Sequence, residues 1–351
     1  MTCTSSAPDD LLFRAEQGGC LSREEILELL SLNDAEHVEH LYRSADRVRA
    51  ACVGEEVFLR GIIEFSNHCM NNCRYCGLRR DNRQAVRYRM DDDEILDLAE
   101  AIEDRGCGTV VLQSGEDLHY TRERMCAIIS NIKARTGLAI TLSIGQRPFD
   151  DYRAFRDAGA DRYLLRHETA NPELFAELCP GRSLEDRIQC LRWLKELDYE
   201  VGMGCMVGLP GQTAEDLADD VLLIRELGAD MIGIGPFIPH EETPLKGSKA
   251  GDAGMVLRML AVIRLVTRDT NIPSTTALGV LDGDSRMKAF KAGANVFMPV
   301  FTPQDCAKRY EIYPGKGDVK KADGAINDFR EFFGAMGRPM GKGPGGRRKR
   351  P

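Results

Sequence analysis

The chain has 351 residues, of which 43% are apolar and 29% charged, and its formal net charge is −8. The acidic balance argues against general nucleic-acid binding, and because no apolar run reaches about 18 residues, the sequence contains no candidate membrane span. The first ten residues lack the basic and apolar regions of a secretory signal, so we predict a cytoplasmic protein. Twelve cysteines are many for a cytoplasmic chain, and this usage fits an anaerobic, reducing compartment.

Residues 1–54 are predicted to form an N-terminal helical cap. Ser22 is a candidate N-cap, and Glu25 stands three positions later as its capping-box partner. Apolar residues then recur at helical spacing, at Ile26, Leu29 and Leu30. We expect these helices to pack over one end of the following domain and to carry no chemistry.

Residues 62–80 contain the strongest motif, in which Cys69, Cys73 and Cys76 have the spacing C-x3-C-x2-C. An apolar run precedes them, so we expect the cysteines on a loop that leaves a strand. Iron–sulfur clusters are held by cysteine thiolates, and four thiolates saturate a 4Fe–4S cube. Three cysteines therefore leave one iron open, and an open iron can bind a small molecule and pass it an electron.

Two other interpretations of the cysteine motif are weaker. A structural zinc site needs four ligands in a closed tetrahedron, and His68, the available fourth, is directly adjacent to Cys69. A disulfide would leave one of the three cysteines unpaired, and nothing in the sequence indicates export.

From residue 55 to residue 333, short apolar runs alternate with helical patterns. Eight such runs predict the strands Val57–Glu64, Thr109–Gln113, Ala139–Ser143, Arg162–Arg166, Val201–Met206, Met231–Ile234, Pro273–Thr276 and Asn295–Met298. Eight β–α alternations favour an α/β fold of the (β/α)8 TIM-type barrel, here with an N-terminal helical extension and a short C-terminal extension. In such barrels the active site forms at the carboxyl ends of the strands.

Polar side chains follow the second and fourth predicted strands. The second ends in Gln113, Ser114 and Gly115, and a glycine at this point lets a ligand approach the backbone closely. The fourth ends in Arg166 and Glu168, a pair that is costly to bury unless it is matched by a partner or a ligand. Arg187, on the next predicted helix, can bind a carboxylate through two hydrogen bonds.

Arg162 begins the fourth predicted strand. Because side chains on a strand alternate with a period of two, Arg162 and Arg166 should face the same interior, about 13 Å apart. Two anion sites at different depths are one interpretation, and pairing of Arg162 with a buried carboxylate is the other.

The last strands offer hydroxyl groups. Thr275 and Thr276 lie on the seventh predicted strand, and Tyr313 follows the eighth. Together they could bind a polar substrate, although threonine is also common in strands for packing reasons. Gly202–Thr213 is rich in glycine but lacks the lysine of a phosphate-binding P-loop.

The final segment, 334–351, is rich in glycine, proline and basic residues, and we predict a disordered tail. The segment 318–333 contains no cysteine and Cys306 stands alone, which leaves too few ligands for a second cluster.

The cysteine motif resembles that of radical S-adenosylmethionine (SAM) enzymes, and the chain over about residues 50–320 is similar to the HydE family of radical SAM maturases for iron–iron hydrogenase. The matching segments are HCMNNCRYCGLRR (68–80), LQSGED (112–117), RHETANPELF (166–175), VGLPGQT (207–213), IGIGPFIPH (232–240), TTALG (275–279), GANVFMP (293–299) and YEIYPGK (310–316). The resemblance implies one 4Fe–4S cluster on the three cysteines and SAM as cofactor, cleaved by one electron to methionine and a 5′-deoxyadenosyl radical.

The resemblance also implies roles for other residues. SAM would be bound by Tyr75, Ser114, Gly115, Arg166, Glu168 and Arg187. A substrate zone deeper in the barrel would include Arg60, Gln113, Arg162, Met231, Thr275, Thr276 and Tyr313. One departure is Ser114, which stands where the family carries the first glycine of a GGE-like element.

The family's substrate is understood to be a cysteine-bound iron dicarbonyl cyanide unit made by a partner maturase. Implied partners are therefore this small organometallic substrate, the other hydrogenase maturases, and an electron donor such as ferredoxin or flavodoxin, with no nucleic acid and no membrane. Two alternatives stay open at this point. One is an enzyme of small-molecule metabolism similar to biotin synthase or methylornithine synthase, and the other is an iron–sulfur carrier or scaffold, which would need no SAM site.

Overall fold

The computed structural model describes residues 8–318 and 320–347. Its strands are β1 (Phe58–Ser66), β2 (Thr109–Ser114), β3 (Ala139–Ser143), β4 (Arg162–Leu164), β5 (Glu200–Met203), β6 (Met206–Val207), β7 (Met231–Ile232), β8 (Gly235–Pro236) and β9 (Val296–Phe297). The α-helices are α1 (Pro8–Glu16), α2 (Arg23–Leu30), α3 (Ala35–Val53), α4 (Asp92–Asp104), α5 (Arg122–Arg135), α6 (Phe149–Asp157), α7 (Pro172–Leu178), α8 (Leu184–Glu196), α9 (Ala214–Glu226), α10 (Ala253–Thr267), α11 (Thr276–Leu281), α12 (Gly283–Lys288), α13 (Gln304–Arg309) and α14 (Ala322–Ala335). Short 3₁₀ turns lie at Ala289–Lys291 and Lys316–Asp318.

Parallel strands form a ring at the centre of the molecule. Seven strands make one sheet in the order β7-β5-β4-β3-β2-β1-β9. Residues 271–273 complete the ring, because Met231 pairs with Asn271 and Pro273 pairs with Val296. The predicted α/β barrel is thus confirmed, with its eighth strand reduced to two single-residue bridges. Among the described residues, no helix is both long and apolar enough to cross a membrane.

The predicted strand Pro273–Thr276 is wrong beyond its first residue. Ser274 N still donates to Val296 O at 3.1 Å, but Thr275 is then the N-cap of α11 and Thr276 its first residue. Proline has no N–H to donate to a ladder, so pairing at Pro273 is limited to one bridge. The two threonines therefore stand at the start of a helix at the barrel mouth, not along a strand.

The N-terminal helices pack on the side of the barrel, against α9 and α10, and not over an end as expected. Arg23 Nε contacts Asp219 Oδ1 of α9 at 2.6 Å, and Arg258 of α10 donates to Leu30 O at 3.1 Å. The predicted capping box is present, because Glu25 N donates to Ser22 Oγ and Ser22 N donates to Glu25 Oε2.

The tail predicted to be disordered is packed in the described part, 334–347. Met340 bridges to Val57, and Gly341 N donates to Val57 O at 2.8 Å. Farther along, Arg347 contacts Asp269 and Asp230 at 2.8 and 3.1 Å. The segment crosses the amino ends of the strands and closes the end of the barrel opposite to the strand carboxyl ends.

The prediction of a disordered tail was wrong because it rested on composition. The tail is held by its backbone groups and not by apolar side chains. The carbonyl oxygen of Gly345 accepts from Arg60 and Asn271, and that of Pro344 accepts from Arg162 and Thr109. A side chain in place of Gly108 would meet the Gly343 carbonyl, with its Cβ 1.8 Å from that oxygen. Small residues on both sides let the tail lie close to the strand ends.

Truncation after Met336 should destabilise the protein, because Arg60 and Arg162 would each lose a buried carbonyl acceptor and Val57 its backbone partners. Two lost hydrogen bonds to charged donors predict a decrease of about 3 kcal/mol or more in the free energy of unfolding. Urea denaturation of anaerobic samples measures it. A control truncation after Arg347 keeps all these contacts and should match the full chain. Equal urea midpoints for the proteins truncated after Met336 and after Arg347 would contradict this account of the tail.

Candidate active site

The cluster loop, defined here as residues 67–80, leaves the carboxyl end of β1 and lies across the barrel mouth. Its backbone is bonded to three other segments: Met70 N donates to Glu116 O at 2.9 Å, Arg74 N to Leu178 O at 2.8 Å, and Gly77 N to Ile312 O at 3.0 Å. The three cysteines of the motif are partly buried and in no disulfide. The predicted placement of the cysteines on a loop after a strand agrees with this geometry.

Two glycines allow the cluster loop to approach the barrel. A Cβ on Gly115 would lie 2.2 Å from His68 O, and a Cβ on Gly77 would lie 2.1 Å from Glu311 O and 2.6 Å from His240 Nε2. Distances under 3 Å are incompatible with a side chain unless the backbone moves. The segments after β2 and after α13 thus meet the cluster loop by direct backbone contact, and the segment after β8 meets it through the His240 ring.

Two arginines that the sequence analysis did not assign hold the cluster loop in shape. Arg182 donates to Asn71 Oδ1 at 2.7 Å and forms an ion pair with Glu116. Arg87 donates to four backbone carbonyls, those of Asn67, Leu78, Arg79 and Asn82. No local motif marks either arginine, since its partners become neighbours only in the folded chain.

The environment of the thiols differs from one cysteine to the next. Burial raises the pKa of Cys69 and of Cys76, and the charges of neighbouring thiolates raise both further. A hydrogen bond with Cys179 lowers the pKa of Cys73. Each of these thiols is thus within electrostatic reach of another thiol of the motif. Three such thiols on one loop, which Arg87 holds through the carbonyls of Asn67 and Leu78, are a donor set that fits a cluster with three protein ligands.

Glu168, Arg166 and Arg187 come together beside Cys73 and Tyr75. Arg166 Nη2 lies 3.2 Å from Glu168 Oε2, but the pair is not aligned as a hydrogen bond, and within the described chain neither atom has another hydrogen-bond partner. Burial would lower the pKa of Arg166 and Arg187, yet the charge of Glu168 raises both above the ordinary value. Buried, incompletely bonded charges of both signs fit a zwitterionic ligand such as SAM.

The other predicted SAM residues lie at the same place. Arg187 Nη1 donates to Arg166 O at 2.7 Å, and Arg187 Nε donates to Gln146 Oε1, a residue the sequence analysis did not assign. Tyr75 is partly buried, and its pKa is raised by burial and by the charge of Glu168. Ser114 Oγ donates to the carbonyl of Gly115, at the point where that glycine meets the cluster loop.

Glu168 has a positive φ of 70°, which is uncommon for a residue other than glycine. The regular alternation of β4 therefore ends before Glu168. On either side of it, His167 Nε2 lies 3.0 Å from Asp220 Oδ1, and Ala170 N donates to the same oxygen at 2.6 Å. His167 and Asp220 are both fully buried. Asp220, on α9, thus binds the chain on both sides of Glu168 and fixes the backbone there.

A second group of polar residues lies near Tyr313, toward the mouth of the barrel. Burial raises the pKa of Tyr313, the charge of Glu64 raises it further, and the charges of Arg166 and Arg286 lower it. Burial lowers the pKa of Arg286 to about 10. Glu64 forms a buried ion pair with Lys316. Gln113 Nε2 donates to Tyr310 Oη at 3.3 Å, and Thr275 Oγ1 is buried with no hydrogen-bond partner in the described chain.

Arg60, Arg162 and Met231 form a separate group at the closed end of the barrel. Each nitrogen of the Arg162 side chain has a protein partner: Nε donates to Glu200 at 2.7 Å, Nη1 to Thr109 at 2.7 Å and Nη2 to Pro344 O at 3.0 Å. Arg60 Nη1 contacts Met231 Sδ at 2.7 Å. The expectation of a substrate anion at Arg162 is corrected, because a carboxylate, a hydroxyl and the tail already occupy its donors.

The comparisons with known proteins agree with this geometry. The sequence profile of the Radical SAM superfamily matches residues 63–224. HydE, an FeFe hydrogenase maturase subunit of Thermotoga maritima, is 48% identical over 93% of this chain and 94% of its own. A 3-methylornithine synthase of Methanosarcina acetivorans is 31% identical over 92% of this chain and 91% of its own.

Solved structures show the same architecture. The crystal structure of methylornithine synthase (PylB) superposes with a TM-score of 0.84 at 27% identity, covering 95% of this chain and 97% of that one. The crystal structure of HydG, a maturase of FeFe hydrogenase, superposes with a TM-score of 0.80 at 19% identity, covering 95% and 75%. The HydG match is evidence for the fold alone.

The superfamily accounts for the donor sets described above, since radical SAM enzymes use a 4Fe–4S cluster and SAM. Because the chain is 48% identical to HydE over more than nine-tenths of both sequences, and because the radical SAM profile spans its cysteine motif and the Glu168 segment, it belongs to the HydE family of FeFe hydrogenase maturases.

Proposed function

We propose that this radical SAM enzyme acts in assembly of the diiron subcluster of FeFe hydrogenase, on a cysteine-bound iron carbonyl cyanide unit made by another maturase. The observation that carries the proposal is the 48% identity to the HydE maturase over nearly the full length of both chains. When bound, the cluster and SAM supply a 5′-deoxyadenosyl radical, formed by one-electron cleavage of SAM. The residues of this chain bind, orient and shield the reactants.

Binding of SAM is assigned to the residues around Glu168. Glu168 accepts from the amino group of SAM, while Arg166 and Arg187 lie close enough to its charge to balance it and to bind a carboxylate. Tyr75 covers the site from the cluster loop. Gly115 and Ser114 bring backbone close to the ligand without side-chain bulk. The buried position of Arg187 and Glu168 limits water at the reacting bond.

The substrate is assigned to the space around Tyr313. The charges of Arg166 and Arg286 act on the phenol, with the guanidinium of Arg286 stacked on Phe297 and Phe329, and the Glu64–Lys316 pair adds one charge of each sign. An iron unit with cyanide and cysteine carboxylate ligands is anionic, so these cations favour it. Gln113, Thr275 and Thr276 offer further donors at the same depth. Arg60, Arg162 and Met231 lie at the closed end of the barrel, and the donors of Arg162 are already occupied there, so Arg162 is not assigned to the substrate.

A methylornithine synthase activity is the second candidate, because a relative with that name is 31% identical and the PylB structure superposes with a TM-score of 0.84. The lower identity makes it the weaker one. Formation of 3-methylornithine by the reduced, SAM-supplied protein would support it.

Replacing Cys69, Cys73 or Cys76 by Ala should abolish SAM cleavage, because two thiolates cannot hold the cluster. Anaerobic reconstitution should give about four irons and four sulfides per wild-type chain, and 5′-deoxyadenosine is measured by chromatography. Cys306→Ala is the matched control and should keep both iron and activity. Full product formation by Cys73→Ala would contradict the cluster assignment, and two irons lost on Cys306→Ala would reveal a second cluster.

Glu168→Gln tests the SAM site and the proposed function together. Loss of one charge-assisted hydrogen bond should weaken SAM binding roughly 10- to 100-fold at unchanged iron content. In an in vitro maturation with the other maturases, the wild-type chain should activate apo-hydrogenase and Glu168→Gln should not. Glu173→Gln removes an exposed carboxylate by the same chemical change and serves as the control, so it should bind SAM as the wild type does. Wild-type protein that cleaves SAM but never supports activation would exclude the maturation role.

Asp220→Ala tests the clamp on Glu168. Without the acceptor for His167 and Ala170, the strained conformation at Glu168 should be populated less, and the Kd for SAM should rise about tenfold. Asp220→Asn keeps an acceptor oxygen and should restore most of the affinity. Calorimetric titration with SAM is the measurement. A lower melting temperature with unchanged SAM affinity would limit Asp220 to a structural role.

A further inference from the structure

Positive charge is concentrated around the cluster loop. Residues 68–89 contain six arginines and one aspartate, a formal charge of +5 in a chain whose total is −8. The remaining residues therefore carry −13. Such segregation creates a local positive field on an otherwise acidic protein, and fields of this kind steer charged partners to one face.

Part of this charge is free to meet a partner. Arg80 has 63% of its side chain exposed, and its ion pair is with its own neighbour, Asp81, at 3.2 Å. Arg83 is exposed and forms no ion pair within the described chain. Arg79 is partly exposed and forms no ion pair within the described chain. Arg74 and Arg89, in contrast, are paired with Glu177 and Asp117.

Exposed apolar side chains lie among these arginines. Four large apolar side chains are exposed in the described chain, and three of them border the cluster loop: Met70 at 46%, Val86 at 63% and Leu118 at 59%. Met70 N is bonded to Glu116 O, two residues before Leu118, and Val86 O accepts from Asn67 at the start of the cluster loop, so the three residues lie around that loop. Arginine and methionine around apolar contacts are typical of the centre of a protein interface.

This face is also next to the cluster thiols. Cys69 and Cys76 are only partly buried, and Arg87, from the same basic segment, donates to the carbonyls of Asn67 and Leu78 on either side of the cysteines.

We propose that Met70, Arg79, Arg80, Arg83, Val86 and Leu118 form the docking surface for a small acidic one-electron carrier protein. The inference rests on the proposed radical SAM function. In each turnover the reduced carrier is oxidised by one electron, and that electron breaks the sulfonium–C5′ bond of SAM to give methionine and the 5′-deoxyadenosyl radical. An acidic carrier is repelled by the −13 charge elsewhere, so it is oriented with its redox centre toward the thiols.

The test compares a protein donor with a chemical one. In Arg80→Glu/Arg83→Glu, 5′-deoxyadenosine formation driven by subsaturating reduced flavodoxin at low salt should fall about tenfold. Formation driven by dithionite should stay within twofold of wild type. The wild-type flavodoxin rate should fall as salt increases, while the variant's rate should change little. Arg192→Glu/Arg330→Glu, exposed arginines on α8 and α14, makes the same charge change away from the loop and should behave as wild type.

Equal flavodoxin-driven rates in wild type and Arg80→Glu/Arg83→Glu would overturn the docking surface. Wild-type protein that fails to cleave SAM even with dithionite would instead overturn the proposed function. If the double variant does not assemble a cluster, Val86→Glu probes the same face through one exposed side chain and should show the same loss. Binding of a short RNA that the variant loses, with unchanged flavodoxin kinetics, would reassign the patch to nucleic acid.

Discussion

Direct backbone contact at Gly77 and Gly115 determines where the reactive groups of this protein lie. A Cβ at either position would come within about 2.2 Å of a carbonyl oxygen, so the cluster loop could not lie on the barrel mouth with any other residue there unless the backbone moved. Contact at Gly115 sets the cysteines beside the end of β2. Contact at Gly77 sets them against Ile312 and His240, which come from the last third of the chain. The thiols, Glu168 and Arg187 meet because these contacts fix the loop.

Buried charge is arranged at two depths, and the two groups are neutralised differently. Near the mouth, Arg166 and Glu168 face each other without an aligned hydrogen bond, and the surroundings of Tyr313 include Arg286. At the closed end, Arg162 is fully bonded by Glu200, Thr109 and the tail. An unpaired buried charge is costly, so a ligand gains the most binding free energy at the incompletely bonded group of Arg166 and Glu168. The same cost explains why the tail packs against Arg60 and Arg162 at the closed end of the barrel.

The confirmed predictions depend on short-range chemistry. The capping box at Ser22 and Glu25 involves residues three apart, and the strand bounds of Ala139–Ser143 follow from a local apolar run. The predictions that were wrong depended on distant partners. Arg162 looked like a substrate ligand because Glu200 and Pro344 are far away in sequence. Pro273–Thr276 looked like a strand because its threonines favour strands, but the chain turns into α11 there. The tail looked disordered because its composition lacks apolar residues, although its carbonyl groups have buried partners.

The sequence by itself determined the cysteine motif, the β–α alternation, and the family to which the chain is similar, because ligand spacing and strand period are local properties. The tertiary structure alone decided which charges remain without partners, which side chain clamps Glu168, and which face of the cluster loop is exposed. Those properties arise from contacts between residues up to about 285 positions apart, such as Arg60 with Gly345, and no local pattern records them. Long-range packing sets burial, and burial sets whether a charge is a structural partner or a group that binds a ligand.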